Sequence, residues 1–353
     1  MAKILYGVCG VGSGHSTRAK AVIDHLLKQG HQVKVIAYGQ AAINLKPFFD
    51  LSVIYSPRFY FKKNEIQYLK TLFTNLSKSP NLVKSVFRVS KIIDNFLPQI
   101  IFTDFEPATA IAANLHNLPL VSIDNIHRLT QAKYDVPLKY SLDAVTAKAI
   151  IRLIVPRADW YLITSLTDHQ PKNKKSFFFP PILRQEILKA NPSENNYFLV
   201  YLSSPNNRLV NLLKNIKAQF IVYGYKKNEQ TGNLQFKTNS HEGFITDLAG
   251  SLGVIATAGF SLISEALCLK KPYLALPLQG QFEQSLNALE LEKIGCGKTL
   301  ESLESREIEE FIAHLPDFRR NLANYCRPNN DRLFDKIDEL IKITSDSSTK
   351  KAS

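Results

Sequence analysis

The stretch from Ala256 to Gly297, ATAGFSLISEALCLKKPYLALPLQGQFEQSLNALELEKIGCG, constrains the fold more than any other part of the chain. Val254 to Thr257 is a short apolar run of strand type, and Ala258-Gly259 breaks it with a turn. From Ser261 to Leu269 the apolar residues Leu262, Ile263, Ala266, Leu267 and Leu269 recur at helical spacing. Lys270 and Lys271 fall where a helix C-terminus favours cations, and Pro272 ends the helix. Tyr273 to Leu276 reads as the next buried strand, closed by Pro277, and a second amphipathic helix follows from about Phe282 to Ile294.

The polar residues of this unit gather at one end. Gly259, Ser261 and Ser264 lie at a helix N-terminus, where free backbone N–H groups and the dipole favour an anion such as phosphate. Glu265 lies about one turn further in. Charge does not explain a carboxylate there, but a pair of sugar hydroxyls, as on a ribose, suits it. Gln281, Glu283, Gln284 and Asn287 follow a strand C-terminus, where open α/β sheets bind ligands. The competing reading is a helix packed on a sheet with solvated polar residues at its start.

The chain begins in a related way. Lys3 to Val8 is an apolar strand, GVGSGHSTRA supplies Gly10, Gly12 and Gly14, and a helix is expected from Ser16 to Gln29 before a second strand, Gln32 to Tyr38. A dinucleotide site is the first thought. The loop spacing is GxGxGH, however, and the second strand ends Ala37-Tyr38-Gly39-Gln40 with no acid for a ribose 2′-hydroxyl, so NAD and FAD are not expected. Further strands, Gln99 to Thr103 and Pro119 to Ile123, end in Asp104-Phe105-Glu106-Pro107 and Asp124-Asn125-Ile126-His127. If these strands neighbour the first, their ends cluster with His15, and these carboxylates and histidines supply candidates for a general base. The plainer reading is that the acids cap the following helices, which applies most directly to Glu106.

Gly259, Glu265, Lys271-Pro272, Pro277, Gln284 and Asn287-Ala288, together with the Gly14-His15 loop end, resemble the GT-B glycosyltransferases related to the peptidoglycan N-acetylglucosaminyltransferase. That resemblance implies an α/β chain of two Rossmann-like domains facing a central cleft, with a C-terminal helix crossing back to the first domain. The boundaries then fall at 1–170 for an acceptor domain, 171–196 for a linker and 197–325 for a nucleotide-sugar domain. A crossing helix occupies 326–344 and a disordered tail 345–353. Glu265 would hold the donor ribose, with Gln281, Gln284 and Asn287 near the donor sugar and Gly259, Ser261 and Ser264 near the diphosphate. Ser203 and Ser204 stand where family members have a glycine-rich turn, and this chain has no glycine there. Phe244 and Ile245 would lie at the base. Gly12, Ser13, Gly14, Glu106 and His127 would face the acceptor, and the base would come from His15, Asp104 or Asp124. The implied activity is metal-independent transfer of a sugar, with inversion, from a nucleotide-sugar, expected to be UDP-linked, to an acceptor hydroxyl on a lipid-linked or cell-envelope glycan. No cofactor is expected beyond that co-substrate. A nucleotide-sugar 2-epimerase shares the fold and stays open, as does a non-catalytic nucleotide-sugar sensor or nucleic-acid-binding protein.

Charge bears on the partner. The 353 residues carry a net charge of +13, unevenly spread. Met1 to His169 has 20 Lys and Arg against 11 Asp and Glu, and the remainder has 24 against 20. Arg58 to Lys91 holds eight basic residues and one acid, Glu65, interleaved with aromatics, and Ile66, Leu69, Phe73 and Leu76 follow helical spacing. Such a segment suits an anionic membrane surface. It lacks a recognition-helix or single-strand signature, so nucleic acid is not expected. Cys9, Cys268, Cys296 and Cys326 are far apart and form no CxxC pair, which suggests neither zinc nor a disulfide framework. MAKILYGVCG has no long apolar region, and no run of about 18 apolar residues occurs. A cytoplasmic protein, peripheral at most on the inner face of the plasma membrane, is expected.

Overall fold

Strands rich in Val, Ile, Leu and Phe, buried on both faces, need helices on either side, and the chain builds two such sheets. The structure is a computed structural model. It describes the chain except residues 56–60, 63–64, 67–78, 134–136, 138–139, 239, 279, 326–327 and 353. In chain order the strands are β1 (Lys3–Val8), β2 (Gln32–Ala37), β3 (Leu51–Val53), β4 (Phe61–Lys62), β5 (Glu65–Ile66), β6 (Ile100–Asp104), β7 (Leu120–Asp124), β8 (Trp160–Thr164) and β9 (Ser176–Phe179). They continue with β10 (Phe198–Tyr201), β11 (Phe220–Tyr223), β12 (Glu229–Thr231), β13 (Leu234–Phe236), β14 (Val254–Thr257), β15 (Tyr273–Leu276) and β16 (Gly297–Thr299).

The first sheet has the order β3-β2-β1-β6-β7-β8-β9 and is parallel throughout. The chain winds outward from β1 to β3 and then resumes at β6 on the other side of β1. Its switch point therefore lies between the C-terminal ends of β1 and β6, the position at which open α/β sheets bind ligands. The second sheet, β12-β13-β11-β10-β14-β15-β16, repeats the plan with one antiparallel edge pair, β12 with β13. Its switch point lies between β10 and β14. Strands β4 and β5 form a small separate sheet.

The chain divides into two units. One comprises Met1–Phe61, Ile66–Arg184 and Asn329–Ser353, and the other Lys62–Glu65 and Gln185–Pro328. In the first unit, Ile4, Tyr6 and Val8 pack against Ala19, Val22, Ile23 and Leu26 of the Gly14–Lys28 helix. Leu333, Ile337, Leu340 and Ile341 of the final helix enter the same core. Each such burial stabilises by about 1.5–3 kcal/mol. His25 stacks on Phe334 at 4.2 Å and bonds Asp338 at 3.0 Å, which adds a polar clasp. In the second unit, Phe198, Val200 and Val222 pack with Ile255, Leu274, Ile308 and Phe311.

Several expectations shift. Ser176–Phe179, expected in a linker, is the edge strand of the first sheet, paired with β8 and burying Phe179. The stretch 345–352, expected as a tail, continues the Asp331–Ala352 helix, and Thr344 and Ser345 turn their hydroxyls back onto Leu340 and Ile341 carbonyls. The first helix starts at Gly14, because the Ser13 carbonyl already accepts the Thr17 amide at 3.0 Å. Ile66 is a strand residue, and Leu69, Phe73 and Leu76 of the basic segment lie outside the described residues.

Candidate functional site

At the first switch point, three strand ends meet one helix. The first turn of the Gly14–Lys28 helix carries His15, β6 ends in Asp104, and β7 ends in Asp124. His15 Nδ1 lies 2.6 Å from Asp104 Oδ1. Asp104 is fully buried, whereas the His15 side chain keeps 14% exposure, so of the two only the imidazole has access to a ligand. Arg18 follows His15 by three residues, which places both on one helix face. Its Nε donates to Asp104 Oδ2 at 2.8 Å and its Nη2 to Oδ1 at 2.6 Å. Its Nη1 reaches Asn125 Oδ1 at 3.2 Å. Burial pushes the His15 imidazole down, but its electrostatic and hydrogen-bond interactions with Cys9 and Asp104 outweigh that and hold the pKa well above the usual value. Phe105, between Asp104 and Glu106, adopts φ +55°, a strained left-handed backbone that turns the chain sharply after the strand.

The other polar residues at these strand ends are used internally. Asp124 accepts from the Ile126 and His127 amides on Oδ1, and from Ser122 Oγ on Oδ2. His127 Nδ1 lies 2.6 Å from the same Oδ2. Burial would raise the Asp124 pKa, but the His127 charge and bonds, with Arg18 beyond, hold it well below the carboxylate range. Both residues are buried. Asp124 is thus not presented as a base, nor His127 to an acceptor. Glu106, also expected at the acceptor, caps the Pro107–Leu115 helix: its oxygens accept from the Ala108 and Thr109 amides at 2.9 and 2.6 Å. It is fully buried, and the capping reading holds. Gly12 and Ser13 are exposed, and Gly14 is half-buried in the first helical turn.

At the second switch point, Ser203 and Ser204 follow β10 and Gly259 follows β14, its neighbour in the sheet. Gly259 is the N-cap of the Phe260–Cys268 helix. A Cβ built on it meets nothing within 4 Å, so the turn borders open space. Two side chains brace the turn from behind: Asn287 Nδ2 donates to the Ala258 carbonyl at 2.8 Å, and the Tyr273 hydroxyl to the Thr257 carbonyl at 2.7 Å. The first-turn N–H groups of that helix have no partner within it, which suits a diphosphate. Asn287 is buried, and its amide bonds the turn, so it braces the turn in place of reaching a sugar. Ser264 donates within the helix to Phe260 at 2.7 Å, while Ser261 is half-buried. Glu265 is 5% exposed, six residues on from the cap Gly259. Gln284 bonds Gln281 at 2.6 Å and the Leu278 amide at 3.1 Å, which fixes the proline-ended loop.

Ser203 is exposed and Ser204 half-buried. The glycine that lets backbones approach here lies on the adjoining strand end: a Cβ on Gly224 would meet the Leu202 carbonyl at 2.1 Å. Phe244 packs edge-on against Tyr201 and Tyr223 at 5.6 and 5.1 Å, and Ile245 is buried in the middle of the His241–Gly250 helix, whose ladder takes its backbone N–H and C=O, so Ile245 is not presented to a base. The Tyr223 hydroxyl and Lys237 Nζ both bond Asp247 Oδ2, which ties this helix to β11. Sequence reasoning missed Arg18, Asn125 and Ser122; the i, i+3 spacing from His15 was the available signal for Arg18.

The chain matches the model of glycosyl transferase family 1 over residues 2–316. It is 27% identical to the UDP-N-acetylglucosamine--N-acetylmuramyl-(pentapeptide) pyrophosphoryl-undecaprenol N-acetylglucosamine transferase of Clostridium botulinum (strain 657 / Type Ba4), covering 94% of this chain and 97% of that one. An uncharacterized glycosyltransferase of Methanosarcina acetivorans is 22% identical over 84% and 85% of the two chains. Among solved structures, the glycotransferase of kitacinnamycin superposes with a TM-score of 0.70 at 13% identity, covering 96% and 98%. CalG4, the calicheamicin glycosyltransferase, gives 0.66 at 14%, with the same coverage. These likenesses establish the GT-B fold. With a family match across most of its length, the chain belongs to glycosyl transferase family 1 and is a nucleotide-sugar-dependent glycosyltransferase.

Proposed function

We propose that the protein transfers a sugar from a UDP-sugar, with inversion, to a hydroxyl of a lipid-linked or cell-envelope acceptor, with His15 as the base. The observation that carries this reading is the His15 Nδ1–Asp104 Oδ1 bond of 2.6 Å at a switch point, in which the imidazole alone keeps access. With Nδ1 engaged by Asp104, a proton from the acceptor hydroxyl goes to Nε2. The acceptor oxygen then forms its bond to the anomeric carbon as the carbon–oxygen bond to the diphosphate breaks. The departing nucleoside diphosphate keeps that electron pair, and the N-terminus of the Phe260–Cys268 helix stabilises its charge. Glu265 accepts from the ribose hydroxyls. The uridine base is supported by the name of the Clostridium relative.

A thermal-shift series with UDP, GDP, dTDP and NAD tests the donor. At a hundred-fold excess over Kd, UDP is expected to stabilise by about 2.7 kcal/mol, and Glu265→Ala to abolish the rise. A response to NAD alone, or equal responses in the variant, would overturn the donor assignment.

An anionic membrane surface is the proposed setting for the acceptor. On the Ser79–Phe96 helix the exposed residues Val83, Lys84, Phe87, Arg88 and Lys91 share one face, with Phe87 67% exposed. The Ser141–Ile154 helix likewise exposes Leu142, Val145 and Leu153 beside Arg152. Apolar side chains flanked by cations suit the headgroup boundary. Among the described residues no helix is long and apolar enough to cross a membrane. Phe87→Glu with Lys84→Glu should weaken binding to vesicles containing phosphatidylglycerol by at least about tenfold, without changing the UDP response. Unaltered vesicle binding would remove this helix from the membrane face.

A further inference from the structure

Arg18 is buried, carries three hydrogen bonds, and touches both members of the His15–Asp104 pair. A cation taken out of water is costly, and nothing in helix packing calls for one here. Its fork grips both carboxylate oxygens of Asp104, a two-point grip that a lysine cannot reproduce. Asn125, at the end of the next strand, holds the far side of the guanidinium. Arg18 Nη2 also lies 3.1 Å from His15 Nδ1. Both nitrogens are donors when Nδ1 carries its proton, so they share Asp104 Oδ1 as acceptor.

We propose that Arg18 is the positioning residue of this pair: its fork holds the Asp104 carboxylate in the orientation that keeps His15 Nδ1 protonated and leaves Nε2 as the nitrogen that takes a proton. The inference rests on the reading of His15 as the base. Arg18 has a second effect, through charge. A bare buried carboxylate beside an imidazole favours the imidazolium, which is no longer a base. The guanidinium offsets the Asp104 charge and repels a second cation on the ring. The other titratable groups around the pair are Cys9, which faces His15, and Tyr6 and Asp124, whose fields reach Arg18.

The test is nuclear magnetic resonance of the full chain with ¹⁵N-labelled histidine, with His15 assigned by its loss in His15→Gln. In the wild type His15 should be the Nδ1-protonated tautomer when neutral. In Arg18→Met it should titrate about 1 pH unit or more higher, and the acid limb of the transfer rate should move up with it. Arg18→Lys should restore most of the titration but not the single tautomer, because a point charge cannot hold both oxygens. Arg18→Met with Asp104→Asn removes both charges together and should bring His15 back toward its ordinary range. If His15 keeps the wild-type titration and tautomer in folded Arg18→Met, or in Arg18→Lys where the former is unfolded, the proposal is overturned and Arg18 is only a structural ion pair. These spectra do not depend on turnover. A normal transfer rate in His15→Gln would sink the base assignment while leaving the coupling measured.

Discussion

Replacing His15 by glutamine is expected to lower the rate of sugar transfer by about 10²–10⁴-fold, the range of a positioned general base, with the UDP-induced thermal shift retained. Glutamine keeps a similar length and a hydrogen bond to Asp104, so the fold should tolerate it, but it cannot take a proton at neutral pH. The pH dependence gives a second check. The base must be neutral to act, so the rate rises with pH through the His15 pKa. Because Cys9 and Asp104 hold that pKa above the usual histidine value against the opposing effect of burial, the acid limb should lie on the alkaline side of an ordinary imidazole. An acid limb at or below the usual histidine value, or a variant within threefold of the wild-type rate, would place the base elsewhere.

Asp104→Asn is expected to have the largest effect on stability. It leaves Arg18 buried with its charge unmatched and turns one amide N–H₂ toward donors that previously met carboxylate oxygens. Breaking one partner of a buried pair costs about 3–5 kcal/mol. For a unit of this size that corresponds to a fall in Tm of roughly 6–20 °C. The same change removes the acceptor that fixes the His15 tautomer, so transfer should fall along with stability. Measuring both separates them: at a temperature where the variant is fully folded, the rate should still be depressed. A Tm within about 2 °C of the wild type would mean that the guanidinium is solvated and that the buried pair is not a structural anchor. The neighbouring Asp124 links stability to pH. Its depressed pKa adds stability that is present above the unfolded carboxylate pKa and is lost as pH falls through the folded value.

The parts of this protein legible from sequence are those governed by near-neighbour rules. Helical spacing from Leu262 to Leu269, the break at Pro272 and the strand at Tyr273–Leu276 each depend on residues within a few positions, and each stands in the fold within a residue or so. The glycine turn before a helix, and the acid one turn inside it, are local for the same reason. Long-range pairing is not local. That β1 lies between β2 and β6, which brings His15 to Asp104 across 89 positions, follows from how seven strands bury their faces together. The sequence offered Asp104, Glu106, Asp124, His15 and His127 together and marked only Glu106 as a clear helix cap. Tertiary packing separated them: it spent Glu106 on a helix cap, closed Asp124 on His127, and left His15 alone with access. Arg18 went unread because a basic residue on an amphipathic helix is normally solvated, and only a buried carboxylate from another strand shows why this one is inside. By itself, then, the sequence determined most of the strands and helices and the glycine turn ahead of the Phe260–Cys268 helix, since these rest on local periodicity and backbone preference. Which polar residues reach a ligand, and which are consumed in holding it up, was decided only by the tertiary structure, because burial and hydrogen-bond partners are properties of strand neighbours far apart in the chain.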